Sequence, residues 1–217
     1  MRVQFDASLR RIEPAPSPPN GTRFVWDGDV IAVEERFGGG GGSKGNGRGT
    51  GGIEDRTYWH FEPETFVPLL REGGDGTLLH VLSDHLRTAR ELIAPDGEVR
   101  WSVSLRLWGK VRDQWRAAND NAADLYSNPG NNGPSVPESC PVRFPGQWHD
   151  PETGLYDNRF RTYDPNTGQY TSSDPIGLNG GFRGSGYVTN PLYQIDHLGL
   201  QDFNLNPKSV PTWGHTL

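Results

Sequence analysis

The sequence predicts an all-β chain built from short antiparallel strands and hairpins, and three observations carry that prediction. Residues 98–109, "EVRWSVSLRLWG", place Val99, Trp101, Val103, Leu105 and Leu107 on one side and Arg100, Ser102, Ser104 and Arg106 on the other. That period of two is the mark of a half-buried strand. Turn formers are abundant, with 29 Gly and 18 Pro in 217 residues and no collagen-like period. Asp-Pro steps also recur ahead of aromatic-bearing segments. Seven Trp, seven Tyr and nine Phe supply bulk for a core although only 33% of residues are hydrophobic.

Residues 1–21 form a Pro-rich N-terminal segment whose "EPAPSPP" cannot enter a sheet interior. Residues 22–115 read as strands. In "TRFVWDGDVIAVEERF", two aromatic and β-branched runs flank Asp27-Gly28-Asp29, a hairpin signal. Residues 38–52 are a flexible Gly-rich loop that lacks the entering strand and exiting helix of a phosphate cradle. "TYWHFEPETFVPLL" and "TLLHVLSDH" read as further strands. "LRTARELIA" is a short helix by propensity or a strand in context, and Pro95-Asp96-Gly97 makes a turn. Residues 116–142 are polar and turn-prone, a linker with room for one helical turn.

From Cys140 onward the texture changes. The unit Asp-Pro-x-Thr-Gly starts at Asp150 and again at Asp164, 14 residues later, and Asp174 opens a shorter third copy. Asp hydrogen-bonds its own downstream backbone, Pro presets φ, and Gly provides a left-handed exit. Tyr156, Phe160, Tyr163 and Tyr170 lie between these turns, so short strands stacking on their neighbours are expected. Asp174-Pro175-Ile176-Gly177-Leu178 is echoed by Asp196-His197-Leu198-Gly199-Leu200, with the two aspartates 22 positions apart. The residues alone leave two readings open, two turn formers or two carboxylates meant to meet.

A formal charge of −6 and a pI near 5.5 argue against nucleic acid as the main partner. The single cysteine, Cys140, excludes an internal disulfide framework and a multi-Cys zinc site, and reads as a buried or idle thiol. His60, His80, His85, His149 and His215 lack ligand spacing, so no metal and no cofactor are expected. No run of 18 apolar residues spans a membrane, and the N-terminus lacks the apolar core of a signal peptide. The expectation is a chain that is cytoplasmic when made, any export needing another device. Trp26, Trp101 and Trp108 read as core rather than as a sugar platform.

Residues 143–200, "RFPGQWHDPETGLYDNRFRTYDPNTGQYTSSDPIGLNGGFRGSGYVTNPLYQIDHLGL", resemble the RHS repeat-associated core domain of the RHS/YD-repeat polymorphic toxins. Residues 22–112 resemble that family's repeat strands. The resemblance implies a β-shell enclosing a C-terminal toxin, delivered by secretion machinery. It also implies an aspartyl autoprotease that cuts after the second Leu of a paired DPxGL motif and needs no cofactor. Mapped here, the catalytic pair is Asp174 and Asp196, the cut falls between Leu200 and Gln201, and Arg161 and Asp164 support the pair. The substrate is then the chain's own C-terminal segment. His197 stands where the family has Pro, and as His⁺ it is expected to lower the pKa of Asp196. With few repeats, and with only residues 201–217 after the cut, the chain reads as an incomplete piece of the shell with a truncated tail. The alternative is a non-catalytic structural or interaction module, including a carbohydrate-binding one.

Overall fold

The computed structural model describes residues 21–38, 52–117, 139–180, 182–200 and 203–204. The Gly-rich stretch beyond Gly38 and most of the 116–142 linker lie outside the described residues. Eight strands follow one another in an antiparallel meander: β1 (Gly21–Asp27), β2 (Val30–Gly38), β3 (Gly52–Phe61), β4 (Pro68–Gly73), β5 (Leu78–Ser83), β6 (Ala89–Ile93), β7 (Val99–Leu105) and β8 (Val111–Arg116). A second antiparallel sheet has the order β12-β11-β10-β9, from β9 (Trp148–His149), β10 (Tyr156–Asn158), β11 (Arg161–Asp164) and β12 (Gln169–Tyr170). A two-stranded ladder pairs β13 (Gln194–Ile195) with β14 (Phe203–Asn204). No α-helix occurs among the described residues. The all-β expectation holds.

Local chemistry explains the hairpins. Asp27 pairs with Val30 across a two-residue Gly28-Asp29 turn, with Gly28 at φ 58°. Positive φ at the first central residue suits the strand twist. The hairpins β4–β5, β5–β6, β6–β7 and β7–β8 share one closure, in which residue i donates to the carbonyl of i+4 and i+3 donates back to the carbonyl of i. The participants are Gly73–Thr77, Asp84–Thr88, Ala94–Glu98 and Arg106–Lys110. The residue at i+3 is left-handed each time: Gly76, Arg87, Gly97 and Gly109.

Arg87 resolves the ambiguity of "LRTARELIA". The Asp84 carboxylate accepts from the Leu86 and Thr88 N–H groups at 2.9 and 3.0 Å. This fixes a turn with Arg87 at φ 62°, and Ala89–Ile93 continues as a strand between two ladder partners. Leu107 departs from the predicted stripe: β7 ends at Leu105, and Leu107 is exposed in the following turn.

Two cores result. Trp59, Leu79, Ala89, Leu92, Trp101 and Val103 project from one face of the large sheet onto Cys140 and Val142. Cys140 is buried and free, and burial raises its thiol pKa to about 11. The second core gathers Leu86, Phe144, Tyr156, Tyr163, Tyr170, Tyr187, Val188 and Ile195, with Trp108 packed against it. Tyr156, Tyr163 and Tyr170 stand side by side across three strands, with ring centroids 6.1 and 5.8 Å apart. Phe160, expected among them, is exposed. The cores are tied together by hydroxyls: Tyr156 donates to the Gly109 carbonyl at 2.9 Å and Tyr163 to the Trp108 carbonyl at 2.8 Å. Trp101 is fully buried in the first core. Trp101→Ala is therefore expected to lower unfolding stability by about 3–5 kcal/mol, measured by denaturant titration.

Candidate functional site

Three Asp-Pro turns lead to the site, and the third differs from the others by one deleted residue. In the first, Asp150 Oδ1 accepts from the Glu152 N–H and Oδ2 from the Thr153 hydroxyl. In the second, Asp164 treats Asn166 and Thr167 the same way. Both turns close on a left-handed glycine, Gly154 and Gly168. In the third, Asp174 Oδ1 accepts from the Ile176 N–H at 3.0 Å and Gly177 is left-handed, but the threonine is missing. Its Oδ2 instead meets the guanidinium of Arg161, with Nη2 at 2.9 Å.

Asp196 approaches the same nitrogen from the other side, its Oδ2 3.3 Å from Arg161 Nη2. Its Oδ1 accepts from the Gly199 and Leu200 N–H groups at 2.8 and 3.0 Å, bending residues 196–200 into a turn. Arg161 begins β11 and faces inward with Tyr163, two residues on. It pairs with Asn158 across the tight β10–β11 hairpin. Arg161 also donates through Nη1 to the Gly184 carbonyl at 3.1 Å and through Nε to the Gly199 carbonyl, and its Cζ lies 3.7 Å from the Tyr170 ring centre. The side chains of Arg161, Asp174 and Asp196 are all at most 2% exposed.

The Leu200 carbonyl is part of this arrangement. A Cβ added to Gly180 would overlap Asp174 Oδ2 and lie 2.7 Å from the Leu200 oxygen. The carboxylate and the carbonyl therefore face one small space, left open because residue 180 is glycine. Gly146, at φ 88°, similarly seats the His197 carbonyl where any side chain would collide.

Three charges share this buried volume, one positive and two negative. Retaining one proton on the pair makes the cluster neutral, which burial strongly favours. Burial raises the pKa of Asp196, opposed by the Leu200 N–H, Tyr170, Arg161 and the Gly199 N–H. His197 does not act as a nearby cation. Its ring stacks on Phe66 with centroids 4.9 Å apart, and burial, helped by Arg87, lowers its pKa to about 4. The expected lowering of Asp196 by His⁺ is thus corrected: at neutral pH this imidazole is uncharged.

Of the residues singled out from the sequence, Asp174, Asp196, Arg161 and Leu200 come together. Gln201 lies outside the described residues. Asp164 stays with its own turn, where hydrogen bonds from Asn166 and Thr167 outweigh burial and lower its pKa. Besides Gly180, two residues of the site escaped sequence reasoning. The Tyr170 hydroxyl donates to Asp196 Oδ2 at 2.9 Å, and Asn158 Nδ2 donates to the Tyr170 oxygen at 2.6 Å and to the Asp196 carbonyl at 2.9 Å. The seven-residue spacing of Tyr156, Tyr163 and Tyr170 marks them as one row, but not that the last of the row faces a carboxylate.

No family model matches the chain. It is 35% identical over 182 residues to "Probable deoxyribonuclease RhsB" of Dickeya dadantii (strain 3937), covering 82% of this chain and 11% of that protein. It is 31% identical over 235 residues to "Toxin protein Tse5" of Pseudomonas aeruginosa, covering 92% and 15%. To "Double-stranded DNA deaminase toxin A" of Burkholderia cenocepacia it is 35% identical over 134 residues, covering 61% and 8%. The chain thus spans 8–15% of the length of these relatives. Among solved structures, "Crystal Structure of TcdB2-TccC3-TEV" matches with a TM-score of 0.57 at 17% identity, over 82% of this chain and 8% of that one. At that identity the likeness is one of fold.

His197 generates a pH prediction. Its folded pKa lies below the unfolded value of 6.5, so folding releases protons from it. Its contribution is present above pH 6.5 and lost as pH falls toward about 4, on the order of 3 kcal/mol in full. His197→Phe keeps a ring on Phe66, so its Tm is expected to fall less than the wild type's between pH 6.5 and 4.5. Parallel Tm curves would contradict this.

Proposed function

We propose, from the premise that this chain belongs to the RHS/YD-repeat family of polymorphic toxins, that it forms part of a β-shell around a C-terminal toxin and hydrolyses its own Leu200–Gln201 bond by an aspartyl mechanism. The observation that carries the second half is the meeting of the Asp174 carboxyl and the Leu200 carbonyl at Gly180, beside a second buried aspartate. Supporting the first half, β1 and β8 end the large sheet, each paired on one side only among the described residues. Such edges accept further strands by backbone hydrogen bonding.

In the proposed reaction one carboxylate removes a proton from water as its oxygen attacks the Leu200 carbonyl carbon. The other carboxyl gives its proton to the carbonyl oxygen, producing a neutral tetrahedral diol. The C–N bond then breaks, the first carboxyl passes its acquired proton to the Gln201 nitrogen, and the second recovers its proton from a diol hydroxyl. The products are a Leu200 carboxyl and a Gln201 amine. Because substrate and catalyst belong to one chain, effective concentration compensates for a modest site in a single turnover.

Intact-mass measurement of the chain with a C-terminal tag tests this. The wild type is expected to lose everything after Leu200, while Asp174→Asn and Asp196→Asn slow the loss by about 10²-fold or more. An uncut wild-type chain would leave a shell segment without catalysis. Gly180→Ala, which wedges a methyl group between carboxyl and carbonyl, is expected to slow cleavage by roughly 10²-fold with the native fold retained by circular dichroism.

A further inference from the structure

The two aspartates are not equivalent, and their hydrogen bonds show how they differ. The Asp196 carbonyl can only accept, so the Asn158 amide must turn its NH₂ group toward it, which fixes the amide's orientation. The second N–H of that nitrogen points at the Tyr170 oxygen. Tyr170, already accepting, directs its own proton onward to Asp196 Oδ2. A backbone carbonyl thus sets the direction of a relay that ends on a carboxylate. Asp196 receives four described donors: Tyr170 and Arg161 on Oδ2, and the Gly199 and Leu200 N–H groups on Oδ1. Asp174 receives two, the Ile176 N–H and Arg161.

Donors favour the ionised form of a carboxyl, and a neutral cluster holds one proton. We infer that Asn158 and Tyr170 form a one-way relay that favours ionised Asp196 against the burial that opposes it, and so biases the shared proton toward Asp174, which faces the Leu200 carbonyl. The consequence for catalysis rests on the self-cleavage reading; the ionisation assignment stands apart from it. Asp174 is then the acid and Asp196 the base, while Asn158 and Tyr170 are positioning residues. Arg161 would hold both carboxylates whichever bore the proton, so it does not distinguish them. The other titratable groups around Asp196 are the Tyr187 hydroxyl, 3.5 Å from its N–H, and His197, next in the chain and uncharged with Arg87 behind it.

The test uses the full 217-residue chain carrying Asp174→Asn, expected to slow any self-cleavage. The ¹³Cγ shift of Asp196, assigned by its loss in Asp196→Asn, is followed against pH with and without Tyr170→Phe. Phe keeps the ring beneath Arg161 and removes only the hydroxyl. The Asp196 titration is expected to move upward by about one to two pH units, the worth of a hydrogen bond to a charged group. A shift below about half a unit, or in the other direction, overturns the assignment. Should the Phe variant fail to fold, 3-fluorotyrosine at position 170, a stronger donor, is expected to move the titration downward, and an unchanged curve overturns the relay. In the cleavage-competent chain the limb of the rate profile that requires ionised Asp196 is expected to move upward with Tyr170→Phe. If the wild type does not cleave, the self-cleavage reading fails while the ¹³C result still decides the relay.

Discussion

A guanidinium taken out of water needs an acceptor for nearly every N–H, and the segments around Asp174, Gly184 and Asp196 are arranged to supply Arg161 with them. Its nitrogens reach the carbonyls of Gly184 and Gly199 and the carboxylates of Asp174 and Asp196, while its face rests on Tyr170. These partners come from three separate stretches that short hairpins alone would not hold together. Removing one partner of such a buried group leaves an uncompensated charge and costs several kcal/mol, whereas the intact set adds little beyond an apolar core of the same shape. The cluster therefore specifies where loops 174–184 and 196–200 sit more than it stabilises the chain.

The apolar contacts do the larger share of stabilising. One face of the meander buries Trp59, Leu92 and Trp101, and the tyrosine row is anchored to it by hydroxyl bonds onto the β7–β8 turn. Tyr170 ends that row, so a strand position that packs in two neighbours becomes a hydrogen-bond donor to a buried carboxylate in the third. Its hydroxyl is what connects packing to electrostatics.

The all-β class and most hairpins were legible because period-two alternation and Asp/Gly turn chemistry are local signals. "LRTARELIA" was not, since its fate hangs on the Asp84 side chain capping a turn and on ladder partners either side. The Asp174–Asp196 echo was visible, but not the reason Asp174 differs from Asp150 and Asp164. That reason is a deleted threonine, which frees one carboxylate oxygen. Asn158, Tyr170 and Gly180 were illegible because each matters through a partner at least 12 residues away, and a glycine's empty space leaves no trace in composition. His197 was misjudged as a cation because nothing in the sequence placed Phe66 against it.

The β13–β14 ladder lies across the Leu200–Gln201 bond, pairing Gln194 with Asn204 and Ile195 with Phe203. Severing the chain at that bond removes covalent continuity and leaves these backbone pairs in place, with the new Leu200 end still tied through its N–H to Asp196. In the proposed self-cleavage, hydrolysis and departure are consequently separate events. The first is set by proton transfer, the second by the off-rate of a two-residue strand, which brief thermal fraying or a pulling force on the downstream segment would govern.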